Sequence, residues 1–502
     1  MSLSDQLTDI INSLGGFGPS LWLAVAFCGL LVIDLLTQKK NGKRRLLAVS
    51  SIIAVAIAGI WALLSPVRGF LFLRLLFVDN QAIAFQLIIA IAAVMVLLYE
   101  LFTVKSDEPS VNQPVKLPVE WYSLLLAMTL GLFLMTMSVN LLSIYLSIEL
   151  VSICSYLLTA LTITRKASEG GMKYLLFGSV SSAIMLYGMS LLYGMTGTLD
   201  LTADAFATGM VQQDTVVVAV AGILTLAGLL FKLAGVPFHI WTPDAYDAAP
   251  IPVAAFFSVA PKAAGLLVLM RVVTALPAVA PTGGATAAVL QTPLAVLALA
   301  GILIGNLSAI WQTDAKRLLA YSAIAQAGFL LVGVVALSDA GFEAAVFYAA
   351  TYLFISLASF FLVDLLARST GRDTLTITDF AGLGARQPVL SIALLIVMLA
   401  LTGLPPTVGF TAKLLSFSAL FDTYQRTGNG WLLALFGLGL LNALFSLAYY
   451  IKIPFFLFFR TVSAETVAVP LPKPAVWLAV GLVVPVLLLF VKPDWLLEWF
   501  VW

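Results

Sequence analysis

One histidine, two cysteines and a charged fraction of 10% leave this 502-residue sequence little of what most soluble enzymes use. An iron–sulfur cluster takes four thiolates, so this chain alone holds none. Cys28 and Cys154 both fall in apolar runs and make no disulfide framework. CxxCH and HExxH are missing, as is a glycine-rich phosphate loop after a strand. Soluble globular chains carry roughly 25% charge, so that class is excluded. With a net charge of +1 and its basic residues in short loops, the chain has no feature that binds nucleic acid. The opening MSLSDQLTDIINSLGG is acidic and lacks a basic n-region, so Leu21–Leu36 reads as a retained first span. The apolar runs are long and do not alternate, which excludes a β-barrel.

What is there is apolar: 61% of residues are hydrophobic and the mean hydropathy is +1.06. Runs of roughly twenty apolar residues recur from end to end, the pattern of an all-α polytopic membrane protein. Fourteen spans are predicted, at 17–36, 46–65, 79–103, 120–138, 140–163, 171–193, 214–235, 251–274, 290–310, 319–337, 344–366, 388–418, 430–459 and 475–491. No extramembrane domain fits between any two. The first loop, TQKKNGKRR, carries five positive charges. If it is cytoplasmic, so are Lys105, Lys116, Arg165, Lys166, Lys173, Lys316, Arg317, Arg368, Arg372, Arg386, Lys452, Arg460 and Lys473. Only Arg68, Arg74, Arg271, Arg426 and Lys492 then lie on the other side. The positive-inside rule favours this topology, with both termini on the outer side.

Three lysines remain inside the predicted spans: Lys232, Lys262 and Lys413. An ionisable residue at mid-membrane costs roughly 2.5–3.5 kcal/mol even on the mild insertion scale, so each needs a partner, water or a function. Snorkelling to an interface is the plain alternative. Glu149, in LLSIYLSIELVSICSYLL, is the acidic counterpart. It forms either a static ion pair or a proton-exchanging one with a facing lysine. Asp34 and Asp364 lie nearer span ends and read as interfacial or packing residues.

Gly235 and Pro237 follow Lys232, and Pro405 and Pro406 precede Lys413. A proline removes an amide donor and clashes one turn back, so two broken helices are predicted, in spans seven and twelve. The breaks are about 170 residues apart, near five spans. An odd number of spans inverts orientation, so spans four to eight and nine to thirteen form two inverted units. The chain then divides into 1–119 (spans one to three), 120–275 and 290–460 (the two units) and 461–502 (the last span). Ser322 and Gln326, four apart on one face of span ten, either hold water between Lys262 and Lys413 or make ordinary interhelical hydrogen bonds.

The stretches LSIELVSICSYLLTA, GGMKYLLFGSVSSAIMLYGMSLLYG, FKLAGVPFHIWTPDAYDAAPIPVAAFFSVAPKAAG, TDAKRLLAYSAIAQAGF and LTGLPPTVGFTAKLLSF closely resemble the subunit N (subunit 2) family of proton-pumping NADH:quinone oxidoreductase, respiratory complex I. The likeness covers about residues 75–460. It implies a fourteen-helix antiporter-like subunit with helices seven and twelve broken. It also implies that Glu149 pairs with Lys232, that Lys262 centres a hydrophilic axis, and that Lys413 lies near the outward route. His239 matches a family histidine, with either a structural or a proton-uptake role. Gln326 stands where many relatives carry histidine; glutamine cannot titrate and relays only through water.

The resemblance implies a proton-translocating, non-redox subunit in a bacterial inner membrane. This chain would hold no cofactor, with NADH, FMN, iron–sulfur clusters and quinone elsewhere in the complex. Its partners would be membrane-arm subunits such as the antiporter-like subunit M and small subunits such as K, with lipids around them. Two neighbouring readings are a subunit of a multisubunit cation/proton antiporter and the equivalent subunit of a photosynthetic-type ferredoxin:plastoquinone complex. The form VPFHIWTPD argues against the first. A purely structural membrane scaffold is the non-transport reading.

Overall fold

A computed structural model of the chain describes residues 3–37, 42–103, 117–276, 286–371, 376–460 and 469–499, with side chains of α12 described from Leu290. Lys39, Lys40, Lys105, Lys116 and Arg372 lie outside the described residues. The chain runs α1 (Leu3–Gly16), α2 (Gly18–Leu36), α3 (Lys43–Leu64), β1 (Gly69–Leu71), β2 (Leu76–Val78), α4 (Asn80–Thr103), α5 (Glu120–Met137), α6 (Leu141–Ala160), α7 (Arg165–Thr196) and α8 (Asp204–Val211). It continues through α9 (Thr215–Leu233), α10 (Trp241–Ala248), α11 (Ile251–Ala275), α12 (Thr286–Ile310), α13 (Ala315–Val335), α14 (Asp339–Ser369), a 3-10 turn (Ile377–Phe380), α15 (Leu383–Arg386), α16 (Pro388–Thr402) and α17 (Val408–Thr427). The last elements are α18 (Gly430–Tyr450), α19 (Lys452–Phe459), α20 (Lys473–Gly481), α21 (Val483–Val491) and α22 (Asp494–Leu497).

Among the described residues thirteen helical segments are long and apolar enough to cross a membrane, and α16 is a shorter apolar helix. The protein is thus an all-α polytopic membrane protein apart from one two-stranded hairpin. Helix starts follow local chemistry. Asn140, Thr164, Asp214, Asp314, Ser338 and Asn429 each accept from an amide of the first turn, satisfying donors the helix leaves open. α7, α16 and α17 end on Gly197, Gly403 and Gly428 in the left-handed region, where glycine carries no Cβ penalty.

The centre of the bundle is α11, whose apolar window is wholly buried, flanked by α13 and α14, which are nearly so. α2 and α18 leave most of their apolar faces on the surface. α12 and α13 approach closely because both present glycine: a Cβ on Gly305 would lie 2.5 Å from the Ala325 nitrogen, and one on Gly328 would lie 2.7 Å from the Ile302 nitrogen. This seam fixes the position of α13, which carries Ser322 and Gln326.

Sequence and structure differ at four places. α1 is a helix where only a short acidic leader is expected. The hairpin pairs Gly69 with Val78 and Leu71 with Leu76. Its turn residues Phe72, Leu73 and Arg74 all have positive φ, and the first two amides are held by Ser13 Oγ at 2.8 Å and Asp9 Oδ2 at 2.9 Å. α8 adds a short helix before α9. Most consequential, the chain resumes as helix after the first break: α10 packs on α7 and α13, so Lys232, in the last turn of α9, is followed by a second helical piece.

Candidate functional site

The first break follows from Ala234, Gly235 and Pro237. Ala234 takes φ 59, and the amide of Gly235 bonds back to the Leu230 carbonyl at 2.7 Å, closing α9. Pro237 brings no amide that could continue the ladder to Leu233. Helix returns after the Thr242 amide bonds to the His239 carbonyl at 3.0 Å. Lys232, in the last turn of α9, is 2% exposed, and its Nζ has no hydrogen-bond partner in the protein. The rings of Tyr174 and Phe231 lie 5.9 Å from that nitrogen. Tyr174 itself stacks on Trp241 of α10 at 3.9 Å and 3°, so an aromatic wall ties α7 to the break.

Glu149 is half-buried on α6 with Oε1 unpartnered. The expected direct contact with Lys232 is not formed: neither side chain meets the other as an ion pair or hydrogen bond. The reason is packing. α6 lies chiefly against α5 and α7, whereas α9 lies against α7 and α11. The other buried atoms without partners around the break are His239 Nδ1, Trp241 Nε1, Thr242 Oγ1 and the Tyr246 hydroxyl. His239 makes no structural hydrogen bond through Nδ1.

Lys262 is 1% exposed at the middle of α11, directly after Pro261. Its Nζ donates a short hydrogen bond to the Ala323 carbonyl of α13. One turn on, a Cβ at Gly265 would sit 3.6 Å from Lys232 Cβ, which places Lys232 against the helix that carries Lys262.

The second break holds Lys413. In an uninterrupted helix the carbonyls of Leu401 and Thr402 would accept from the amides four residues on. Those residues are Pro405 and Pro406, which have none. Lys413 Nζ takes both carbonyls, at 3.1 Å and 2.7 Å, and lies 4.2 Å over the Phe329 ring. Gly403, at φ 85, makes the approach possible: a Cβ there would stand 2.7 Å from Lys413 Cδ. Both breaks contain a cis peptide bond, Val236–Pro237 and Pro405–Pro406.

Gln326 is buried between these lysines, and its amide is fully engaged. Nε2 donates to the Leu401 carbonyl at 2.8 Å and to the Tyr450 hydroxyl at 3.2 Å, while Oε1 accepts from Tyr348 at 2.5 Å. These bonds tie α13 to α14, α16 and α18. Ser322 meets Tyr450 at 2.5 Å.

Several residues were not singled out by sequence. Lys316, assigned to a loop, is buried at the start of α13 and caps the C-terminal carbonyls of α10, with Asp247 at 3.0 Å and a short bond to Ala249. Asp244 and Asp247 of α10 also bind Lys173 at 2.8 Å, Lys166 at 2.7 Å, and Arg317 at 3.2 and 3.3 Å. The signal was two acids three apart in WTPDAYDA and the adjacent KR of span ten. Asp364 is a packing residue as read, accepting from Tyr99 at 2.5 Å and Arg368 at 2.7 Å. Glu100 binds Arg44 and accepts from Tyr122 at 2.7 Å. Among the described residues no group of three or more His, Cys, Asp or Glu could hold a metal ion.

Residues 138–446, which include every lysine of the site, match the family model described as NADH:quinone oxidoreductase/Mrp antiporter, transmembrane. The chain is 36% identical to NADH-quinone oxidoreductase subunit N 2 of Chloroherpeton thalassium, over 91% of this chain and 88% of that one. The chain belongs to the subunit N family. Subunit N 2 of Sorangium cellulosum is 39% identical over 90% of this chain and 89% of its own length. Among solved structures, a chain of respiratory complex I from Thermus thermophilus with bound aureothin superposes with a TM-score of 0.78 at 30% identity, covering 96% of this chain and 98% of that one. The family thus comprises antiporter-like, non-redox membrane subunits, and the cluster of buried lysines at two helix breaks lies wholly inside the matched region.

Proposed function

We propose that this chain is a proton-translocating membrane-arm subunit of an NADH:quinone oxidoreductase. Quinone reduction elsewhere in the complex would be coupled to proton movement along Lys232, Lys262 and Lys413, with Glu149 as the charge that biases the first of them. The observation that carries the reading is the burial of three lysines in one bundle, two of them at proline breaks. α16 with α17 supplies the span that completes fourteen, and the two five-span units 120–275 and 290–460 face opposite ways, between 1–119 and 461–502. Both termini are on the outer side of a bacterial inner membrane. Subunit M, small subunits such as K, and lipids cover the exposed apolar faces; NADH, FMN, iron–sulfur clusters and quinone belong to other subunits.

In this mechanism neutral Lys232 takes a proton from the cytoplasmic side. A change in the distance between Glu149 and Lys232 alters the lysine's proton affinity and sends the proton to Lys262, and Lys413 passes it outward. Each pKa unit is worth about 1.36 kcal/mol. The membrane field opposes with about 2.3 kcal/mol per charge per 100 mV. Changes of a few units are therefore sufficient.

Alanine at Lys232, Lys262 or Lys413, in complex whose assembly is verified, is expected to reduce protons pumped per NADH oxidised. Normal pumping in all three variants would sink the reading. Proteins co-purifying in mild detergent separate it from a multisubunit antiporter or a ferredoxin-dependent complex.

A further inference from the structure

We propose that α1 is an interfacial helix: it lies in the membrane surface, with one apolar flank in the boundary between lipid headgroups and acyl chains. The inference concerns a face away from the buried lysines and goes beyond the proposed function.

The sequence of α1 divides its circumference into three flanks. At 3.6 residues per turn, Leu3, Leu7, Ile10, Ile11 and Leu14 fall within about 100° of one another. All five are exposed, by 40% to 74%. Ser4, Asp5, Thr8 and Asn12 make the next flank and are also exposed. The third flank meets the hairpin. There Asp9 Oδ2 accepts from the Leu73 amide at 2.9 Å and Ser13 Oγ from the Phe72 amide at 2.8 Å. A Cβ on Gly16 would lie 2.9 Å from Val67 Cγ1 and 3.0 Å from Leu71 Cδ2. A helix docked on a soluble core turns its apolar stripe inward. α1 does the reverse: two polar side chains hold it to the protein, and the stripe points away.

One environment suits all three flanks. Surrounded by water, the five apolar side chains would stay wet. Upright among acyl chains, Asp5, Thr8 and Asn12 would be taken out of water, which is costly for polar groups. At 14 residues α1 is about 21 Å long, against roughly 30 Å for a bilayer core, so it does not span. Laid along the surface, it turns the apolar flank down into lipid, the polar flank up into water and the third flank sideways onto the hairpin.

The chain itself points to lipid as the occupant. Leu14, Leu21 and Val25, seven and four residues apart, carry exposed apolar area from α1 past Phe17 into α2. α2 is long and apolar enough to cross the membrane and leaves most of its face on the surface. The stripe of α1 thus continues a lipid-facing one. No lysine or arginine precedes Lys39. Attraction to anionic headgroups therefore contributes nothing, and burial of the apolar flank in a zwitterionic bilayer is sufficient.

The test uses the complex purified with its partner subunits and placed in nanodiscs of dioleoylphosphatidylcholine. The photoreactive residue p-benzoylphenylalanine replaces either Leu7, on the apolar flank, or Thr8, on the polar one. After irradiation, intact-mass measurement of this subunit is expected to show the added mass of one phospholipid at position 7 and none at position 8. If the Leu7 variant does not assemble, Ile10 and Leu14 carry the same expectation. A cross-link from the apolar flank to another polypeptide would overturn the proposal and make the stripe a subunit interface. Equal lipid adducts at positions 7 and 8 would overturn it by placing α1 within the acyl region, and no adduct at 7, 10 or 14 would overturn it by placing α1 in water.

Discussion

Gln326 and Lys413 share one acceptor, the main-chain carbonyl of Leu401. That carbonyl is open because residue 405 is proline, so one missing amide joins a clamp on α13 to a lysine on α17. The second break is therefore a binding site for an ammonium group as much as a bend.

Restoring the amides should compete with Lys413 for its acceptors. In the double variant Pro405→Ala, Pro406→Ala, the carbonyls of Leu401 and Thr402 can be taken by the backbone. Hydrogen bonds to charged groups contribute about 1.5–3 kcal/mol each. Pumping in the assembled complex should drop while NADH:ferricyanide activity, a property of the redox subunits, stays unchanged. Full pumping would show that Lys413 does not need these carbonyls.

Gly403→Ala meets two obstacles, a left-handed backbone and the Lys413 stem. The conformation alone costs a non-glycine residue roughly 1–2 kcal/mol. The variant should lower the thermal midpoint of the purified complex and pump less. Ala at Gly437, where a Cβ meets nothing within 4 Å, is the matched control and should do neither.

Lys232 is buried without a hydrogen-bond partner, so it burdens the fold. Burying a polar group without a hydrogen-bond partner costs free energy, and an apolar side chain of similar volume avoids that cost. Lys232→Met should hold or raise the thermal midpoint while abolishing this subunit's pumping. A large loss of stability would mean that Lys232 is a structural ion-pair member.

The same geometry predicts weak coupling between Glu149 and Lys232. Breaking a directly paired buried bridge costs about 3–5 kcal/mol. A double-mutant cycle of Glu149→Gln with Lys232→Met, read by thermal or denaturant unfolding, should give a coupling below about 1 kcal/mol, the scale of exposed or separated pairs.

Lys316→Met removes the cap from the C-terminal end of α10, leaving buried carbonyls that cost about 1–3 kcal/mol when unpaired. Hydrogen exchange in 241–249 should speed up before the flanking helices α9 and α11 respond. Unchanged exchange there would place the restraint on α10 with Asp244 and Asp247 alone.

The spans were legible because apolar runs of this length have one use, and the breaks because proline cannot donate. α10 was not, since Asp244, Asp247 and Pro243 read locally as a polar turn. The two carboxylates are met by Lys166, Lys173 and Arg317, residues that come together only when α7 and α13 pack. The lysines were legible from their cost in an apolar setting. Their acceptors were not, because main-chain carbonyls leave no mark in the sequence.

The acceptors of Lys262 and Lys413 are dipoles, with no net charge of their own. A protonated lysine in either place therefore adds one whole positive charge to the bundle interior, and no carboxylate stands at hydrogen-bond distance to offset it. Two neighbours charged together would repel across a medium of low permittivity. The line favours one cation at a time: arrival at one lysine presses the charge off the next. Under the proposed function, proton carriage would be ordered by repulsion between occupants.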